Sequence, residues 1–174
     1  VDEAYFEYVE AEDYPDASAW LSRFPNLIVT RTFSKAYGLA ALRIGYALSH
    51  ADVAGLLNRV RQPFNVNSVA QAAALAALGD EDHLQRCVQR NREGMSQLES
   101  GFDALGLSYI KSVGNFVCVD TGRSGAGVYE ALLQKGIIVR PVANYGMPNH
   151  LRVTIGRADE NARFLNALEQ VLHD

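Results

Sequence analysis

Between Asp80 and Leu105 the chain carries a single apolar stripe. Leu84, Val88, Met95, Leu98, Phe102 and Leu105 fall at three- and four-residue steps, with Asn91 filling one slot. Only an α-helix of about seven turns puts these side chains on one face. Gly106 closes it. The sequence texture differs on either side, so the helix is expected to bridge two lobes. The division is placed inside it, near Glu93, giving residues 1–92 and 93–174 as two domains.

Before the helix, residues 17–24 predict a short helix. Leu27-Ile28-Val29-Thr30, an apolar β-branched run after Pro25-Asn26, predicts a buried strand. Ile44 to Leu48 predicts the next strand, entered through Gly45. Asp52 to Arg61 predicts a helix, with Asp52 or Ser49 as its cap and Pro63 as its stop. Asn67-Ser68 is expected to cap an alanine-rich helix that runs to Leu78 and ends at Gly79. After Gly106 the spacing shortens. Residues 107–111, 115–119, 137–140 and 151–155 predict strands, residues 127–135 and 159–172 predict helices, and Val142 to Asn149 predicts a loop at an entrance. This is the pattern of a small α+β lobe.

Composition removes several classes. The chain has 174 residues, is 48% hydrophobic and carries a net charge of −4. That suffices for a core and does not suggest disorder. The arginines are scattered rather than arranged in a basic stripe, so no nucleic-acid partner is expected. No segment is long and apolar enough to predict a membrane span. Cys87 and Cys118 predict buried free thiols, hence a cytoplasmic location. The two Cys and four His show no metal-ligand spacing. The chain opens on Val1-Asp2 without Met, where the end of a buried strand is expected, so a piece of a longer chain is anticipated.

The chemistry concentrates in residues 32–45, Thr-Phe-Ser-Lys-Ala-Tyr-Gly-Leu-Ala-Ala-Leu-Arg-Ile-Gly. Lys35 sits between two hydroxyl side chains and an arginine, on the turn after an apolar strand. A lysine amine can form a Schiff base with a carbonyl. Thr32, Ser34 and Arg43 can bind a phosphate dianion, the guanidinium through charge-assisted hydrogen bonds. A ligand with both an aldehyde and a phosphate, such as pyridoxal phosphate (PLP), would use the whole segment. The chain contains only three lysines, and Lys111 and Lys135 lie at element ends in polar surroundings. No P-loop or G-x-G-x-x-G opens a helix, so a nucleotide-binding reading is weak.

This segment closely resembles the lysine motif of the fold-type I PLP-dependent aminotransferases. Asp2-Glu3-Ala4-Tyr5 resembles their D-x-A-Y, and His150-Leu151-Arg152-Val153-Thr154-Ile155-Gly156 their substrate-carboxylate strand. The histidinol-phosphate aminotransferase group is the nearest in pattern. The resemblance covers nearly all of this chain but only about the second half of the family's chain. It implies an α/β fold: the C-terminal part of the three-layer αβα large domain, followed by the small α+β domain. It implies PLP bonded to Lys35, which afterwards shuttles a proton. Asp2 would pair with the pyridine nitrogen, Tyr5 with the 3-oxygen, and Thr32, Ser34 and Arg43 with the phosphate. Arg152 would clamp the substrate carboxylate, with Asn115 beside it, and Arg140 would help bind a distal phosphate.

The reaction implied is transamination between histidinol phosphate, an amino-alcohol phosphate, and 2-oxoglutarate, in a homodimer. An aromatic amino-acid aminotransferase or a decarboxylase of an amino-acid phosphate would use the same residues. A non-catalytic lobe also remains open. The stacking aromatic and the rest of the phosphate cup belong to the family's first half, so this chain alone is expected to be inactive. An unpaired sheet edge and an exposed apolar face are expected to make it associate.

Overall fold

The long apolar stripe folds as one helix, Glu81–Ala104, designated α3 below. The computed structural model describes residues 1–173. The chain forms two compact units, Val1–Val88 and Gln89–Asp174, and the division falls within α3. No helix among the described residues is long and apolar enough to cross a membrane.

The first unit is built on an antiparallel pair, β1 (Ile28–Thr32) and β2 (Gly45–Ser49). Their register runs from Ile28 opposite Ser49 to Thr32 opposite Gly45. Gly45 is needed for this closeness, since a Cβ there would lie 2.7 Å from the Arg31 carbonyl oxygen. Asp2 joins the sheet through a parallel bridge to Thr30. Within β1 only Val29 is buried, so the strand expected to be buried is half-exposed. The expected helix over 17–24 is a 3-10 turn, Ala17–Trp20, in which only Ala17 is buried. With no apolar stripe to pack, a longer helix has nothing to hold it.

Two helices follow, α1 (Ala51–Val60) and α2 (Ser68–Leu78). The cap of α1 is His50, whose Nδ1 accepts from the Asp52 amide, rather than Asp52 or Ser49. Asn67 caps α2 by accepting from the Ala70 amide at 2.9 Å, and Gly79 ends it. Leu56, Val60, Val69 and Leu75 stand exposed on these helices, as does Phe64 between them. Asp80 accepts from the His83 amide at the start of α3.

The second unit continues α3 into a four-stranded antiparallel sheet. Its members are β3 (Tyr109–Ile110), β4 (Phe116–Asp120), β5 (Arg140–Val142) and β6 (Met147–Thr154), in the order β3-β4-β6-β5. Helices α4 (Gly125–Gln134) and α5 (Ala158–His173) complete it. Leu98 and Phe102 of α3 pack with Val117, Val119, Leu151 and Val153 of the sheet and with Leu132, Phe164 and Leu168 of the helices. The alternation of the strands therefore sends odd-numbered residues of β4 and β6 into the core and even-numbered ones to the opposite face.

Two expectations are corrected in this unit. Residues 137–139 are not a strand. Gly136 adopts φ +73°, and the Ile137 amide donates back to the Leu132 carbonyl at 2.9 Å, closing α4. The Ile137 amide is therefore unavailable to the sheet, and β5 begins at Arg140. The expected loop over 142–149 is mostly a hairpin: a 3-10 turn, Ala143–Tyr145, and then β6 from Met147.

Close approach of α3 depends on glycine. A Cβ on Gly94 would lie 2.5 Å from Ile155 Cγ2 and 3.0 Å from Asn161 Nδ2. Asn161 is buried, accepts from the Gly156 amide at 2.9 Å and donates to Gln97 Oε1 at 3.1 Å. Gly94→Ala is expected to destabilise the chain by about 1–3 kcal/mol through overpacking, despite a helix-propensity gain of about 1 kcal/mol. Urea denaturation measures it. The cost should be smaller in an Ile155→Ala background, where the clashing methyl is gone.

Candidate functional site

Lys35 stands on the turn that leaves β1. Phe33 and Ala36 are buried beneath it, and the Leu39 amide donates to the Phe33 carbonyl at 2.9 Å, closing the turn. Phe33 is flanked by the Tyr37 and Tyr46 rings at 5.0 and 5.8 Å. With the neighbouring side chains turned inward, Ser34 and Lys35 remain half-exposed. Gly38, at φ +72°, turns the chain back.

The phosphate-type ligands gather around this turn. Thr32 Oγ1 accepts from the Ser34 amide at 3.0 Å. The Arg43 guanidinium lies 3.5 Å from Ser34 Oγ and donates to the Ala40 carbonyl at 2.8 Å. Arg43 is exposed and adopts φ +52°, a left-handed conformation that an L side chain enters at a cost of about 1 kcal/mol or more. The strain sits on the residue that carries the guanidinium.

Asp2 and Tyr5 lie on the same unit. Asp2 Oδ1 accepts from the Ala4 amide at 3.1 Å and from Thr30 Oγ1 at 3.3 Å. Lys35 Nζ is 5.3 Å from the centre of the Tyr5 ring, within cation–π range. An amine, two hydroxyls, a guanidinium, a carboxylate and a phenol ring thus occur on one strand end and its flanking segments. This donor set suits a ligand bearing an aldehyde, a phosphate and a basic ring nitrogen.

In the second unit Arg152 lies on β6 between Cys118 of β4 and Arg140 of β5. Directly opposed like charges destabilise a sheet unless an anion comes between them. The Arg152 guanidinium lies 5.1 Å from the Phe116 ring centre, and its Nε is buried without a hydrogen bond among the described residues. A buried unpaired cation donor is costly, so this one is set to receive an acceptor. Arg140 is exposed. Asn115 is half-buried beside β4, and its carbonyl accepts from the Ile155 amide at 2.9 Å.

Both cysteines are half-buried free thiols, not the fully buried ones expected. Cys87 Sγ is 3.3 Å from His83 Nε2 on α3. Burial pushes the Cys118 thiol pKa up, against the pull of the Arg152 charge. No group of three or more potential metal ligands occurs among the described residues.

Sequence reasoning missed a cluster beneath the strand. Glu3 is buried and receives Arg31 Nε at 2.9 Å. Asp16 receives the same guanidinium at 2.8 Å. Glu7 is half-buried, and its Oε2 carries no hydrogen bond among the described residues. Burial raises its pKa, against the attraction of Arg31. Burial, with the charge of Glu7 nearby, also raises the Tyr37 pKa. The available signal was a charge between two threonines of a short β-branched strand, at Arg31.

A raised carboxyl pKa means that folding opposes ionisation of Glu7. The penalty is absent when the group is protonated in both states, and it grows as pH rises above the ordinary glutamate value of about 4.3. Glu7→Gln is therefore expected to melt higher than wild type at pH 7, with the difference shrinking toward pH 4. Thermal melts across that range measure it.

Comparison with known proteins identifies the family over nearly the whole chain. The family described as Aminotransferase class I and II matches residues 1–168. The histidinol-phosphate aminotransferase 1 of Nitrosococcus oceani is 62% identical over 174 residues, covering 100% of this chain and 47% of that protein. The histidinol-phosphate aminotransferase 2 of Pseudomonas fluorescens is 64% identical over 172 residues, covering 99% of this chain and 46% of its own. The chain thus spans about half the length of the curated relatives it matches. A crystal structure of histidinol-phosphate aminotransferase from Sinorhizobium meliloti, in complex with pyridoxal-5'-phosphate, superposes with TM-score 0.89 at 32% identity. It covers 99% of this chain and 48% of its own.

Proposed function

The chain belongs to the aminotransferase class I and II family, and we propose that it carries the lysine-bearing part of a PLP-dependent histidinol-phosphate aminotransferase. The single observation that carries this reading is the turn after β1, where Lys35 directly follows Thr32 and Ser34 and Arg43 lies 3.5 Å from the Ser34 hydroxyl. Identities of 62% and 64% to histidinol-phosphate aminotransferases support the substrate class. Residues 1–92 are then the end of the larger PLP domain and 93–174 the small domain.

PLP, when bound, supplies the electron sink that lets the α-carbon of an amino substrate lose its proton. Lys35 Nζ would be the attachment point and, once released, the base that takes the proton from the substrate α-carbon. Thr32, Ser34 and Arg43 hold the phosphate dianion. Asp2 keeps a proton on the ring nitrogen, its carboxylate already fixed by Thr30 and the Ala4 amide. Tyr5 donates its hydroxyl to the ring 3-oxygen. Arg152 receives the carboxylate of 2-oxoglutarate or glutamate with its planar fork, with Asn115 alongside. Arg140 binds the distal phosphate of histidinol phosphate. The active form is a cytoplasmic homodimer of the complete enzyme.

The test is an absorbance spectrum with added PLP, then borohydride reduction and peptide mapping. The expected result is a long-wavelength band that ends as a phosphopyridoxyl adduct on Lys35, absent in Lys35→Ala. Label shared evenly with Lys111 and Lys135 would overturn the assignment. In the active enzyme, Arg152→Lys should raise KM for 2-oxoglutarate at least about tenfold, because an ammonium cannot replace the two-pronged contact.

A further inference from the structure

Arg31 has no place in the donor set described above, yet its partners flank that set. It lies between Thr30 and Thr32 on β1, and strand alternation points it to the opposite face. Glu3, which follows Asp2, receives its Nε at 2.9 Å. Phe6, which follows Tyr5, lies under its guanidinium at 3.6 Å. Tyr46, opposite it on β2, follows the Gly45 that pairs with Thr32. Every one of these contacts is made with the sequence neighbour of a residue in or against the donor set.

The segment carrying Asp2 meets β1 through a short parallel bridge in which the Glu3 amide donates to the Thr30 carbonyl at 2.9 Å and the Thr30 amide to the Val1 carbonyl at 3.0 Å, with the Val1 nitrogen donating to the Ile28 carbonyl and Thr30 Oγ1 to Asp2 beside it. The Glu3 side chain is fully buried. Its second oxygen accepts from the Ala17 amide at 2.9 Å, which ties in the turn carrying Asp16. Asp16 completes the enclosure of the guanidinium at 2.8 Å. A planar fork satisfies two carboxylates and stacks on a ring at once, which an ammonium does not do.

We propose that Arg31, locked by Glu3, is a positioning residue that sets Asp2 and Tyr5 against the Lys35 turn. The PLP part of this inference rests on the functional reading above. The register part stands on the geometry alone.

The experiment compares wild type with Arg31→Gln, Glu3→Gln, the double variant and Arg31→Lys, using two readouts. Amide hydrogen exchange without PLP reads the register. In Arg31→Gln the Glu3 and Thr30 amides should exchange at least about tenfold faster, while amides of α2 and of the second unit keep their rates. The double variant should be no worse than Arg31→Gln, because both changes break one unit. Arg31→Lys should fall between.

The second readout is the pH midpoint of the absorbance of PLP held by Lys35. It should move in Arg31→Gln, because Asp2 no longer stands fixed at the ring nitrogen. Unchanged Glu3 and Thr30 exchange, or acceleration spread evenly over all amides, would overturn the proposal, as would an unmoved midpoint. If wild type forms no adduct on Lys35, the functional reading fails, and exchange still decides whether Arg31 fixes the register. If Arg31→Gln does not fold, Glu3→Gln and Arg31→Lys decide on the same readouts.

Discussion

Glu3 leaves water only because Arg31 goes with it. A carboxylate buried alone would take up a proton or pull its segment open, since the desolvation cost of an unpaired buried charge is several kcal/mol. Here one carboxylate oxygen receives the guanidinium and the other caps the Ala17 amide. Burial alone would lower the Arg31 pKa. Hydrogen bonds donated to Glu3 and Tyr46, with the charges of Glu3 and Asp16, turn the shift upward. The guanidinium is therefore held between these partners, and its geometry ties together three chain segments. The donor set on the other face of β1 inherits that spacing.

The second unit uses the opposite economy of charge. Its core is packed so tightly that a Cβ on Gly94 would meet Ile155 and one on Gly101 would meet Leu165, each at 2.5 Å. The other face of the sheet carries Arg152, Arg140 and His150 together with Phe116 and Cys118, because alternation turns these residues away from the core once Leu151 and Val153 are buried. Tight packing on one side and the buried, unbonded Arg152 Nε on the other follow from one register.

Local features were legible in the sequence and long-range ones were not. Asn67 and Gly79 bracket α2 through bonds to residues three positions away or fewer, so their signals survive in a linear reading. Lys35 and Arg43 could be associated for the same reason, since one turn connects them. Glu3 and Arg31 stand 28 residues apart, and nothing in either neighbourhood names the other. The start of β5 was misplaced because Ile137-Ile138-Val139 has strand chemistry, while a left-handed Gly136 had already committed the Ile137 amide to α4. Gly94 reads as a weak point in a helix until Ile155 is seen against it.

The facing of Arg140 and Arg152 has a practical side for anyone handling this protein. Two guanidinium groups on adjacent strands attract whatever small anion the solution offers. A sulfate or phosphate ion that enters between them would screen their repulsion. The same ions then stand in the way of any carboxylate or phosphate ester meant to bind there. Affinities taken in chloride or in a bulky zwitterionic buffer will therefore describe the bare face, whereas those taken in phosphate will describe a competition.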